Sequence, residues 1–113
     1  MRFGAFRFGS VEIEGITYDH DVVVDRGEIR KRRKKPSKKF RDEYRHTPLS
    51  AEGEIPWRCR QMVIGTGAYG SLSVMGNVRA EAERRKIDLL ILPTEQAIKV
   101  LGQGAEETNA ILH

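Results

Sequence analysis

The stretch Met62-Val63-Ile64-Gly65-Thr66-Gly67-Ala68-Tyr69-Gly70 decides the reading of this chain. A short apolar run meets three glycines within six residues. Upstream of it the pattern reads as β; downstream, extended and helical segments alternate. An apolar run of this length, bounded by glycines, is the signature of a buried strand leading into a turn. Working outward from it places the protein in the α/β class with one candidate site, and leaves its activity open.

Downstream, residues 76–86 read as a helix: Met75, just before it, falls on one face with Val78 and Ala82 at helical spacing, and Glu81 and Arg85 form a favourable i,i+4 pair on the other. Ile87-Asp88-Leu89-Leu90-Ile91-Leu92 is almost wholly apolar, as expected of a parallel strand covered on both faces. Pro93 ends it, and Thr94 has the chemistry of an N-cap, with Glu95 in the first turn. Ala97, Ile98 and Leu101 line one face of a second helix, which Gly102 and Gly104 close. Asn109-Ala110-Ile111-Leu112-His113 reads as a last short strand. Before the helix, Leu72 and Val74 suggest a brief extended piece. The order from residue 59 is β-α-β-α-β, and right-handed crossovers make this a small parallel sheet.

Upstream, Phe6, Phe8, Val11 and Ile13 alternate, with Gly9 read as a bulge within the alternation. Gly15 interrupts, Ile16, Tyr18 and Val22-Val23-Val24 resume, and Asp25-Arg26-Gly27 signals a hairpin turn into Glu28-Ile29-Arg30-Lys31. This predicts a β-meander of about three strands over residues 1–35. The meander either adds to the parallel sheet or covers one side of it. Residues 36–56 form an irregular, basic connection, in which 38–45 read as short helix or loop. Residues 57–113 are the α/β half, whose strand enters the core over residues 58–64. The whole is one domain of 113 residues, long enough to bury a core without a staple.

The net charge of +4 hides a local imbalance. Residues 30–39 hold 8 of the 20 basic residues and no acid, leaving 12 basic against 16 acidic elsewhere. Lys31, Arg32, Arg33, Lys34, Lys35, Lys38 and Lys39 could therefore bind nucleic acid or an acidic partner, with Phe40 and Tyr44 nearby for stacking. A solvated charged extension is the commoner outcome for such a run, and it contains no base-reading motif. Cys59 is the single cysteine, so an intramolecular disulfide and a cysteine-based zinc site are excluded. With no secretory leader pattern and no window approaching a membrane span, the expected location is the cytoplasm.

Gly65, Thr66, Gly67 and Gly70 follow a strand and precede a helix, where backbone N–H groups can cradle an anion. Arg79 and Thr94 are placed to contribute, since Thr94 ends the next strand on the same edge of the sheet. The spacing is G-x-G-x-x-G, but Ser71-Leu72-Ser73 delays the helix and Asp88 begins a strand, which weighs against a dinucleotide fingerprint. The plain alternative is a tight strand-to-helix turn. His20, His46 and His113 have no metal spacing, no nucleophile elbow surrounds Ser71 or Ser73, and no catalytic residue, metal site or cofactor is assigned. Arg58 and Arg60 flank Cys59, but on a strand they point away from it.

The set Ile64-Gly65-Thr66-Gly67, Ile87-Asp88, Leu92-Pro93-Thr94 and Ala97, with Tyr18, Asp21-Val22-Val23-Val24 and Gly27 upstream and Ala110-Ile111-Leu112-His113 at the end, resembles one family. It is the small domain shared by the adipogenesis-associated Mth-domain protein and the mitochondrial complex I assembly factor of the same fold. The resemblance covers nearly the whole chain. It implies a three-layer α/β domain with a mixed central β-sheet, extended by strands from the N-terminal half. It implies no enzyme activity, and members look like assembly factors, working with a protein partner, or proteins of unknown role. No cofactor is expected, and exposed sheet edges leave homo-oligomers open.

Overall fold

The computed structural model describes residues 2–7, 9–33, 48–51, 53–68, 70, 72–103 and 107–113. The strands are β1 (Phe3–Arg7), β2 (Ser10–Ile13), β3 (Ile16–Tyr18), β4 (Val22–Asp25), β5 (Glu28–Lys31), β6 (Gln61–Gly65), β7 (Asp88–Leu92) and β8 (Thr108–Leu112). The helices are α1 (Gly76–Arg84), between β6 and β7, and α2 (Thr94–Gly102), between β7 and β8. The β-α-β-α-β order of the second half is thus present, in a mixed α/β fold with two sheets.

Strands β1, β2 and β3 make an antiparallel sheet of their own. The larger sheet has the order β5-β4-β8-β6-β7, with β6 parallel to both β7 and β8, and β4 antiparallel to β8 and β5. The meander is therefore five strands rather than three, and it divides at Asp19-His20-Asp21. The division follows from composition. Val22, Val23 and Val24 are apolar without alternation and at most 5% exposed, as a strand covered on both faces must be. β2 alternates half-buried and buried residues, as a one-sided strand does.

Successive residues of the large sheet face opposite ways. Val22, Val24, Val63, Ala110 and Leu112 pack with Ala97, Ile98 and Leu101 of α2 and with Val11 and Ile13 of the small sheet. Val23, Met62, Ile64 and Ile111 pack with Val78 of α1 and with Leu49, Ile55 and Leu72. The two helices thus cover opposite faces of the sheet.

Several local expectations are corrected. Gly9 lies in the β1–β2 turn at φ +85°, not within a strand. Strand β6 starts at Gln61, leaving Arg58, Cys59 and Arg60 outside it. Helix α1 stops at Arg84, and Lys86 takes a left-handed φ of 58° just beyond. Pro93 occupies the cap position of α2, so Thr94 is its first helical residue and its hydroxyl serves elsewhere. The Asp25–Glu28 hairpin is as expected, with Arg26 and Gly27 both at positive φ, the geometry that matches strand twist. Val74 forms an isolated parallel bridge with Leu49. The proposed helix or loop over 38–45 lies outside the described residues.

Candidate functional site

Because β6, β7 and β8 run parallel, their carboxyl ends bring together Gly65-Thr66-Gly67, Leu92-Pro93-Thr94 and Leu112-His113. Helices α1 and α2 leave β6 and β7 toward opposite faces. In open α/β sheets this divergence opens the crevice where ligands bind.

Here the crevice is laced by the chain's own groups. The Thr66 N–H donates to Leu92 O at 2.8 Å, and its hydroxyl donates to the same carbonyl at 3.2 Å. The Gly67 N–H donates to Thr94 Oγ1 at 2.8 Å, and the Thr94 N–H donates to Gly67 O at 3.1 Å. The Thr94 hydroxyl donates to His113 O at 2.9 Å, and the His113 N–H donates to Gly65 O at 2.9 Å. Thr94 is fully buried at the centre of this lacing. Glycine at 65 is what allows it: a Cβ there would stand 2.8 Å from Thr94 Oγ1 and 3.0 Å from Leu112 Cδ2. The residue types of an anion loop therefore serve a close approach between strands.

A charged cluster adjoins it on the β4 side. Register pairs Val22 with Leu112 and with Lys31, so the next residues along, Asp21, His113 and Arg32, meet at the same end of the sheet. His113 Nδ1 lies 3.0 Å from both Asp21 carboxylate oxygens. Arg32 Nη1 donates to Asp21 Oδ2 at 3.1 Å, and Nη2 donates to Pro48 O at 2.8 Å. Arg32 is only 6% exposed. A carboxylate that orients an imidazole is an arrangement used for proton transfer. Here one carboxylate serves both the imidazole and a buried guanidinium, which ties β4, β5 and β8 together.

The sequence-derived site residues separate into groups. Gly65, Thr66, Gly67 and Thr94 meet directly. Gly70 is exposed at φ +66°, and Arg79 is exposed on α1, forming no hydrogen bond with the glycine stretch among the described residues. Of the basic set, Lys31 is exposed at the end of β5 and Arg33 pairs with Glu54 at 2.9 Å on the surface, while Arg32 turns inward. Lys34, Lys35, Lys38 and Lys39 lie outside the described residues. Asp21, His113 and Asn109 were not anticipated as partners. The Asn109 side chain, 1% exposed, donates to Pro56 O at 2.8 Å and to Arg58 O at 3.2 Å, and accepts the Arg26 N–H at 2.8 Å. Its one signal in sequence was a polar residue opening an apolar strand. Burial pushes the Cys59 thiol up from its usual value, against any lowering by the neighbouring arginines.

Surface hollows lie elsewhere, one bounded by Arg2, Glu12 and Glu14 and another between β1 and α2 against Phe3, Phe6 and Ile98. Among the described residues, no three His, Cys, Asp or Glu side chains gather as a metal site. No helix among them is long and apolar enough to cross a membrane.

No family model matches the chain, and no curated protein matches it. Solved structures do. The conserved hypothetical protein PH1505 from Pyrococcus horikoshii OT3 is 28% identical, with 100% of this chain and 98% of that chain covered and a TM-score of 0.81. A chain named MT938 is 27% identical, with 98% and 95% covered and a TM-score of 0.72. An outer membrane protein from Bartonella henselae is 12% identical, with 97% and 91% covered and a TM-score of 0.64, a likeness of fold alone. The fold is thus one that whole chains of this size adopt.

Proposed function

We propose that this chain is a non-enzymatic assembly or adaptor protein of the cytoplasm, similar to the assembly-factor domain its motifs resemble. It works through surface contacts with a protein partner and without a resident cofactor. The observation that carries this reading is the lacing between β6 and β7. The Thr66 and Gly67 amides, the donors an anion or nucleotide needs at that position, already have acceptors within the chain. A small ligand there would have to displace Thr94 from the Gly67 amide. The Asp21 carboxylate, the natural orienter of a catalytic imidazole, also carries the ion pair of a buried arginine. What remains for recognition is the surface. The exposed Lys31 and Arg33 open the basic run 31–39 and favour an acidic partner surface.

The same run supports the competing reading of a nucleic-acid-binding module, and one pair of experiments separates them. Capture from native lysate with the wild type and with Lys34→Glu/Lys35→Glu is expected to yield a protein partner that the charge reversal releases, with no retardation of nucleic acid at low salt. Retardation that salt and the same charge reversal abolish would replace the adaptor reading with nucleic-acid binding. A thermal-shift panel of nucleotides and phosphates is expected to stay flat. A saturable stabilisation would contradict the closed crevice.

A further inference from the structure

We infer that β7 is the seam of a homodimer: a second copy of this chain lays its own β7 antiparallel along the open edge, joining the two large sheets across a two-fold axis. The inference is independent of the adaptor reading.

Strand β7 ends the large sheet, with β6 on one side and no strand among the described residues on the other. Its hydrogen bonds show which groups face outward. The Asp88 N–H donates to Arg60 O at 2.9 Å, and Leu92 O accepts the Thr66 N–H at 2.8 Å, so residues 88 and 92, and by alternation 90, face β6. Leu89 and Ile91 therefore direct both N–H and C=O away from β6. The opposite edge strand, β5, is protected in the usual way, by exposed Glu28, Arg30 and Lys31. β7 carries a single charge, the exposed Asp88 at its start; Leu89, Leu90, Ile91 and Leu92 beyond it are all apolar and all half-buried. Such an edge is a template for another strand.

Geometry selects the occupant and its register. With Leu90 on the two-fold axis, Leu89 stands opposite Ile91 of the second copy and Ile91 opposite its Leu89. All the outward N–H and C=O groups of both strands are then satisfied by four hydrogen bonds. A shift one way brings in Pro93, which has no N–H. A shift the other way brings in Ile87, whose N–H already donates to Ala82 O at 2.9 Å. A short edge-to-edge seam makes a small interface, so the dimer belongs to the weak, concentration-dependent class.

The test is sedimentation across micromolar to millimolar concentrations, with cysteine cross-linking in a Cys59→Ser background. The wild type is expected to shift from 12.9 kDa toward twice that mass as concentration rises. Leu90→Cys is expected to give a reductant-sensitive dimer, because facing residues at a non-hydrogen-bonded position have Cα atoms about 4.5 Å apart, within disulfide reach. Leu92→Cys, opposite residue 88, is expected to give none. Leu90→Lys, which sets two like charges together on the axis, is expected to weaken dimerisation by at least about tenfold while circular dichroism stays native. Should that variant unfold, the Leu90→Cys and Leu92→Cys contrast decides. A single 12.9 kDa species at every concentration, or equal cross-linking at 90 and 92, overturns the proposal.

Discussion

Two sets of backbone amides invite comparison. Those of Thr66 and Gly67 sit in the glycine-rich stretch that looks open to a ligand, and the fold fills them with Leu92 O and Thr94 Oγ1. Those of Leu89 and Ile91 sit in the apolar run that looks like sheet interior, and the strand order leaves them at an edge. Glycine content reports how close two segments approach, and apolar content reports how much side chain is covered. Neither reports whether a main-chain donor is available. That depends on which strand lies alongside.

The sharpest way to break the comparison uses Ile64 and Ile91, direct register partners on β6 and β7. Ile64 is wholly buried, and Ile91 is half-buried. Ile64→Ala is expected to cost about 4 kcal/mol in urea unfolding, and Ile91→Ala about half of that. Equal losses would mean that β7 is covered as fully as β6. Next in size, Asp21→Asn removes the carboxylate charge that Arg32 Nη1 meets at 3.1 Å, where only 4% of the arginine side chain is exposed. A loss of about 3 kcal/mol is expected. A neutral result would remove the charged cluster from the closed end of the sheet.

Thr94→Val removes the hydroxyl that joins Gly67 N–H to His113 C=O while keeping the side chain's volume. It is expected to cost about 2 kcal/mol, with Thr94→Ser close to wild type. If valine were tolerated as well as serine, the crevice would not be held shut by this residue. The smallest effect belongs to Glu81 on α1, whose carboxyl Arg84 and then Arg85 hold down to about 2. Its folded value lies below the 4.5 of the unfolded chain, so its contribution is full above pH 4.5 and is lost as pH falls through about 2. In acid-unfolding curves, the gap between wild type and Glu81→Gln is therefore expected to close over that window. Salt should narrow it at every pH.

Much of this fold is written locally. The helical spacing of Val78 and Ala82, the unbroken apolar run of β7 and the Arg26-Gly27 turn each depend on near neighbours, so the β-α-β-α-β order was readable. Counting strands also set Thr94 beside the glycine stretch. The Asp21–His113 contact was not readable, because it spans 92 residues and depends on β4 choosing β8 as its neighbour. Arg32 was indistinguishable from its basic neighbours for the same reason. Only its place one residue beyond the β5 pairing turns it toward Asp21 and Pro48. The edge position of β7 is likewise a matter of strand order, which composition does not encode.

The closed crevice is tested most directly at a single amide. In nuclear magnetic resonance hydrogen exchange, the Gly67 N–H should be strongly protected and its resonance unmoved by millimolar phosphate, with protection lost in Thr94→Val. Rapid exchange in the wild type, together with a saturable phosphate-dependent shift, would contradict the account.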